Sequence, residues 1–318
     1  MSVSHQGAEP GVIAWIDGHW GSPTALGVPI QDRGLRLADG LFETVLVQAG
    51  RPLLLEAHLQ RWRASAALLA MAEPPRATLL EPLIREAIER VGLSEDHNRY
   101  GVLRLNWSRG NGVGRGIDLS VPSQPGDGEA AADGVGDHGH RFWLQLHPFM
   151  PSFGPQSAHI SRHERRNSSS RLSHCKTFAY GQAIQARREA HEAGADEALL
   201  LSSTGDLCCG AVANLLVRSG GRWLTPPLSS GCLPGVMRGR ALELGMAEEA
   251  ELRWDGQLLL ACPPAHGSSR GNTGHEQAVR GPWVLLNSLG CRPLSAVDGQ
   301  HLPGLSADAA ERFWRQLL

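Results

Sequence analysis

Lysine is nearly absent from this chain. Of thirty basic residues in 318, one is a lysine, Lys176, and the rest are arginine. A guanidinium carries surface charge well, but it keeps its proton near neutral pH and cannot condense with an aldehyde as an amine can. Either the composition has drifted towards arginine and left one lysine by chance, or that amine is kept for covalent chemistry. Excess charge is also missing: a net charge of -2 and a pI near 6.7 give no footprint for nucleic acid or an anionic membrane. No apolar run approaches the ~18 residues of a membrane span. The first twelve residues, MSVSHQGAEPGV, lack a basic segment followed by an apolar run, so they do not read as a signal peptide, and a cytoplasmic setting is expected. The six cysteines contain no C-x-x-C pair. That spacing predicts no zinc or other metal site, and a reducing compartment fits better than a disulfide scaffold.

What is present alternates between strand and helix patterns. Residues 12–20 read as a hairpin with Asp17-Gly18 at its turn. The polar, glycine-punctuated stretch 31–40 reads as a loop, and 41–48 as a strand. Leu59, Trp62, Ala66 and Leu69 recur at helical spacing, and a second helix is expected over 79–91. Residues 100–108 and 141–149 read as paired strands, separated by a glycine-rich, acidic insertion within about 117–140. PSFGPQS (151–157) reads as a linker. The domains are therefore expected at 1–150, small and α/β, and 158–318, larger. The second half reads as a helix at 178–193, strands at 196–203 and on either side of Gly220-Gly221, and a helix over 233–245. A second insertion (about 263–277) precedes a strand at 283–288 and a closing helix at 306–318. No internal repeat is present.

Seven segments, in order, resemble one family: DRGLRLADGLFETV (32–45), HLQRWRAS (58–65), SHCKTFAYGQA (173–183), GADEALLLSSTGDL (194–207), AVANLLV (211–217), LTPPLSSGCLPGVMR (224–238) and LLNSLGCRPLSAVDG (285–299). They are similar to the fold-type IV pyridoxal-phosphate enzymes, which include branched-chain and D-amino-acid aminotransferases and aminodeoxychorismate lyases. The resemblance implies an α/β (α+β) two-domain fold with the cofactor in the interdomain cleft. It also implies a homodimer in which the partner's small domain closes the site, and small amino compounds as substrates.

It also implies a role for each matching residue. Lys176 would join the aldehyde of pyridoxal 5'-phosphate and, once displaced by substrate, shuttle the proton. Arg61 would fork onto the cofactor phosphate. The amides of Val236 and Met237, where Pro234-Gly235 opens a helix, would hold the same phosphate, with the Ser288 hydroxyl beside them. Asn214 lies on the strand that normally carries, five residues earlier, a glutamate facing the pyridine nitrogen. Here that position is Cys209. A thiol offers at most a weak hydrogen bond where a carboxylate keeps the ring protonated. Asp206, roughly 10 Å further back on an extended strand, would need a bulge to replace it.

The missing carboxylate weakens the electron sink that transamination needs and tilts the reading towards elimination with an aromatic product. NWSRGNGVGRG (106–116) points the same way, because it resembles a loop of aminodeoxychorismate lyases in which Arg109 and Arg115 would hold two substrate carboxylates. The expected activity is therefore 4-amino-4-deoxychorismate lyase, releasing pyruvate and 4-aminobenzoate for folate synthesis. A branched-chain or D-amino-acid aminotransferase is the alternative, and a cofactor-binding homologue impaired by Cys209 is a second. His58 and His174 read as packing or capping residues, and ERR (164–166) as a solvated charge run. Cys208 and Cys209, as neighbours on a strand, are expected to point to opposite faces.

Overall fold

The computed structural model describes residues 11–93, 99–112, 117, 139–262 and 277–318. Most of both insertions, and Arg115 with them, lie outside the described residues. The chain forms two compact units. The first runs to Met150 and takes in Lys176–Ala179; the second comprises Pro151–Cys175 and Tyr180–Leu318.

The first unit is built on β1 (Ile13–Ile16), β2 (His19–Gly21), β3 (Gly40–Gln48), β4 (Arg51–Pro52), β5 (Tyr100–Ser108) and β6 (Arg141–Phe149), in the sheet order β2-β1-β6-β5-β3-β4. Asp17 and Gly18 both have positive φ, which suits the tight turn between β1 and β2. β3 and β5 pair along their whole length, from Gly40↔Ser108 to Gln48↔Tyr100. Alternation then sorts the side chains. Leu41, Val45, Leu103, Leu105, Leu144 and Leu146 are fully buried, whereas Thr44, Arg104, Trp143 and Gln145 stay half-buried. Helices α2 (Leu55–Leu68) and α3 (Ala77–Val91) bury Leu59, Trp62 and Ala66, and Leu80, Ile84 and Ile88. The stretch expected to be a loop contains a short helix, α1 (Arg33–Leu37), capped by Asp32, whose carboxylate accepts from Gly34 N at 2.7 Å. Five residues are too few to show a helical period, so only the cap marks it.

The second unit contains β7 (Gln156–Arg166), α4 (Gly181–Glu192), β8 (Glu197–Ser202), β9 (Leu207–Gly210), β10 (Asn214–Ser219), β11 (Arg222–Thr225), α5 (Val236–Glu243) and β12 (Ala247–Glu249). Then follow β13 (Glu251–Trp254), β14 (Leu259–Cys262), β15 (Gln277–Val279), β16 (Trp283–Asn287), β17 (Gly290–Val297), β18 (Gln300–His301) and α6 (Ala307–Arg315). The main sheet has the order β12-β11-β10-β16-β17-β7-β8-β9, and β9 also pairs with β10 at Cys209↔Asn214. That pairing closes β10, β16, β17, β7, β8 and β9 into a ring whose interior holds Leu199, Leu215, Val217, Leu285, Leu294 and Val297. The ERR stretch, read as a solvated charge run, is the end of β7, with Arg165 exposed and Glu164 and Arg166 half-buried. β13, β14 and β15 form a separate three-stranded sheet that no sequence pattern announced.

One irregularity has chemical consequences. β8 pairs with β9 as Leu200↔Cys209 and Leu201↔Leu207, leaving Cys208 as an extra residue. A bulge of this kind breaks the strict alternation of side chains. Cys208 and Cys209 accordingly share one cluster with Cys232, Ala186, Ala190, Ala198 and Leu200. The expectation that they point to opposite faces is corrected by the bulge.

Candidate active site

Lys176 sits against the start of β3. Phe42 N donates to Lys176 O at 2.9 Å, Phe178 N donates to Gly40 O at 3.0 Å, and Leu41 bridges Thr177. Gly40 is required for this approach, since a Cβ there would lie 2.2 Å from the Phe178 ring. The segment thereby holds the half-buried Lys176 with its Nζ 4.3 Å from the centroid of the Phe42 ring. Arg104 stacks its guanidinium on the same ring at 3.6 Å, and its Nε donates to Asn106 Oδ1 at 2.8 Å. Two cations thus address one aromatic ring, whose quadrupole attracts both. Sequence reasoning missed Arg104: on a strand it is one arginine among twenty-nine.

Arg61 projects from α2 into a buried network. Its Nε donates to Glu43 Oε1 at 2.9 Å and its Nη2 to Glu43 Oε2 at 2.5 Å, while His58 Nδ1 donates to the same carboxylate at 2.7 Å. Burial alone would raise the Glu43 pKa, but the Arg61 charge and the hydrogen bonds from His58 and Arg61 outweigh it and hold the carboxyl at about 2. Burial lowers the His58 pKa, and the charges of Arg61 and Lys176 push the same way against Glu43. His58 is therefore more than a packing residue. Glu43 and His58 fix the orientation of Arg61, and Glu43 had been part of a quoted motif with no role given to it.

Arg109 is engaged within its own unit. Its Nε donates to Asp39 at 2.9 Å, Nη1 to Ala70 O at 2.8 Å and Nη2 to Leu69 O at 2.9 Å. Asp39 also accepts from Arg33 at 2.8 Å. The guanidinium thus ties the loop after β5 to the end of α2, with donors left over from its five.

In the second unit, Cys209 and Asn214 face each other across the pair that closes the ring. Asn214 Nδ2 donates to Leu233 O at 2.9 Å, tying β10 to the turn before α5. Gly235 caps α5 with no side chain bonded to its first turn. A Cβ on Gly235 would meet Asn214 Oδ1 at 1.9 Å, so only glycine lets the turn pass. The open amides of Val236 and Met237 at this terminus, uncapped by any side chain, fit a phosphate. Ser288 lies in the turn after β16. Asp206 does not replace the missing carboxylate even though a bulge is present: it bonds Thr204 Oγ1 and Arg253 Nε. Among the described residues no cluster of His, Cys, Asp and Glu suits a metal ion, and no helix is long and apolar enough to cross a membrane.

The model of the amino-transferase class IV family matches residues 40–255, a span holding Lys176, Arg61, Cys209, Asn214, Val236 and Met237. The chain belongs to the class IV aminotransferases. Within this family it is 27% identical over 255 residues to the bifunctional aminodeoxychorismate lyase / D-amino acid transaminase of Mycobacterium tuberculosis, covering 74% of this chain and 79% of that protein. It is similar in fold to a fold IV transaminase from Curtobacterium pusillum (TM-score 0.71, 20% identity, 96% of this chain and 98% of that one). The branched-chain amino acid aminotransferase of Escherichia coli matches with a TM-score of 0.69 at 18% identity, over 96% and 92% of the two chains. This class IV chain thus has the fold of these structures. Where the resemblance implied a glutamate, the chain has Cys209.

Proposed function

We propose that the chain is a pyridoxal-phosphate enzyme acting as a 4-amino-4-deoxychorismate lyase, releasing pyruvate and leaving 4-aminobenzoate. The observation that carries the reading is Cys209: a thiol lined by Cys208 and Cys232 stands where a carboxylate would otherwise protonate the coenzyme ring. The naming of the mycobacterial relative as an aminodeoxychorismate lyase supports it. Lys176 and Arg61 are the coenzyme ligands of the first unit; Val236, Met237, Asn214, Cys209 and Ser288 are those of the second. The bound coenzyme supplies an electron sink at the carbon bearing the substrate nitrogen. The Lys176 amine removes the proton from that ring carbon, the enolpyruvyl ether bond breaks, and the ring becomes aromatic. Proton transfer by a positioned amine supplies on the order of 10²–10⁴-fold. Aromatisation makes the later steps downhill, so a weak ring-nitrogen partner suffices. Arg104, beside the Phe42 ring, and Arg109 through its spare donors, with Arg115, are the groups for the two substrate carboxylates.

The second reading, a D-amino-acid or branched-chain aminotransferase, is favoured by the bifunctional name of the same relative. A bound but idle coenzyme is the third. The protein is proposed to be a cytoplasmic homodimer serving folate synthesis. The deciding experiment adds enzymatically generated aminodeoxychorismate to the coenzyme-loaded protein. Release of 4-aminobenzoate and pyruvate supports the lyase. Amino transfer to pyruvate or 2-oxoglutarate without 4-aminobenzoate supports the alternative, and a stable coenzyme spectrum without turnover supports the third.

A further inference from the structure

The bulge in β9 makes a dithiol out of two residues that a regular strand would separate. Its two halves differ. Cys208 is fully buried, accepts from Ser230 Oγ at 3.4 Å and lies 3.3 Å from Ser230 O. Cys209 keeps 7% of its surface exposed. The adjoining Cys208 thiol and the positive charge of Arg166 lower its pKa, against burial and the negative charge of Glu197, while the pKa of Cys208 is raised. Arg166 donates to two carbonyls, Ser173 O at 2.9 Å and Gly231 O at 3.1 Å. Among the described residues no carboxylate neutralises it, so its charge is left to act on the neighbouring sulfur. The third thiol, Cys232, is turned to the carbonyls of Pro227 (3.5 Å) and Pro226 (3.7 Å), and burial pushes its pKa up to about 11.

We propose that Cys209 and Cys208 form an oxidisable dithiol, with Cys209 the attacking sulfur and Cys208 the resolving one. The oxidant is a hydroperoxide. The Cys209 thiolate attacks the outer oxygen, the O–O bond breaks, and the products are a sulfenic acid and water or an alcohol. The Cys208 thiol then attacks the Cys209 sulfur, its proton leaves with the hydroxyl as water, and a disulfide closes. Two electrons pass from the two thiols to the hydroperoxide. Adjacent Cα atoms are about 3.8 Å apart, less than the ~4.4–6.8 Å of relaxed disulfides, so the bond is strained and readily reduced. A strained disulfide of this kind is reversible by cellular thiols rather than structural. Resting on the coenzyme reading above, closure would also withdraw the sulfur proposed to face the ring nitrogen.

Peptide mapping tests the proposal without any assay of turnover. Residues 189–218 form one tryptic peptide that contains Cys208 and Cys209 and no other cysteine. Holoprotein is treated with hydrogen peroxide, unfolded, alkylated with iodoacetamide and digested. The expected peptide is two hydrogens lighter than the thiol form, carries no alkyl group, and regains both sites after dithiothreitol. In Cys208→Ser, Cys209 should pass on to the sulfinic acid, which dithiothreitol does not reverse. Full alkylation of both residues at a peroxide dose that oxidises the half-exposed Cys262 overturns the proposal, as does a bond from this peptide to Cys232. The coenzyme spectrum separates the two readings. Its reversible loss in the disulfide form supports the coupling to the ring. A disulfide that leaves it unchanged removes Cys209 from the ring-facing position and leaves the dithiol standing.

Discussion

The two units bury their reactive groups in opposite ways. Around Arg61, the first unit packs a carboxylate, an imidazole and a guanidinium into one ionic network with every partner within 3 Å. Around Cys209, the second unit packs three thiols and small apolar side chains, and the charges of Arg166 and Glu197 act on Cys209 from beside that cluster. A buried charge is tolerated only when paired and hydrogen-bonded, and the first unit meets that condition. The second places Arg166, bonded to two carbonyls, and the buried Glu197, whose pKa burial raises, beside the thiols. On the proposed coenzyme reading, Arg61 brings rigid charge to the phosphate, whereas Cys209 leaves the ring nitrogen with a weak partner.

The strongest way to break the comparison is to remove the amine. Lys176→Ala should lower turnover by on the order of 10³-fold. It should also abolish the pyridoxyl adduct that borohydride leaves on the loaded protein. An adduct that survives in the variant would place the covalent link elsewhere, and no other side chain in the chain carries a primary amine.

Glu43→Gln attacks the ionic network. It strands the Arg61 guanidinium in a buried site, and breaking a buried pair in this way costs about 3–5 kcal/mol. Urea unfolding should show that loss at pH 7, together with weaker coenzyme retention as Arg61 loses its fixed orientation. The pH dependence follows in sign. Glu43 is depressed from 4.5 to about 2 and His58 is depressed from 6.5. Both groups bind fewer protons folded than unfolded, so their stabilisation is present at neutral pH. The His58 part is lost as pH falls below about 6.5, and the Glu43 part as it falls from about 4.5 towards 2. In the variant the lower of these windows should flatten. An unchanged acid limb would show that the network does not set acid stability.

These residues also show what was legible beforehand. Lys176 stood out by count alone, and its neighbours confirmed the family pattern. Glu43 lay in a quoted segment but has no role until α2 brings His58 and Arg61 onto it, a contact made across fifteen to eighteen residues that no local period reveals. Arg104 was hidden because strand alternation decides which arginines reach solvent and which reach an aromatic ring. The Cys208-Cys209 pair was misread because the period-two rule fails at a bulge, and no glycine marks this one. The short strands β13, β14 and β15 escaped for want of enough residues to show a pattern.

The soft end of the comparison is sharpened by Cys209→Glu. A carboxylate bonded to a ring nitrogen is a charge-assisted contact worth about 1.5–3 kcal/mol. Transaminase side activity should therefore rise roughly tenfold to a hundredfold, measured as amino transfer to pyruvate. A fall, or no change, would count against the position assigned to residue 209.

The turn before α5 gives a further test of the phosphate end. Gly235→Ala places a Cβ against Asn214 Oδ1 and must shift the helix terminus. Because the amides of Val236 and Met237 move with that terminus, coenzyme affinity should fall by about tenfold, equivalent to about 1.4 kcal/mol. Equilibrium dialysis of the coenzyme measures it directly.

The smallest effect belongs to Ser288. Its hydroxyl is one donor among several proposed for the phosphate, and a single hydrogen bond contributes about 1 kcal/mol net. Ser288→Ala should weaken coenzyme binding by about fivefold and leave the borohydride adduct on Lys176 intact, since the covalent link and the Arg61 network are untouched. A loss as large as that of Glu43→Gln would mean that the proposed phosphate contacts of the second unit hold the coenzyme as strongly as the Arg61 network does. The contrast between the two units would then have to be redrawn around the turn after β16 rather than around α2.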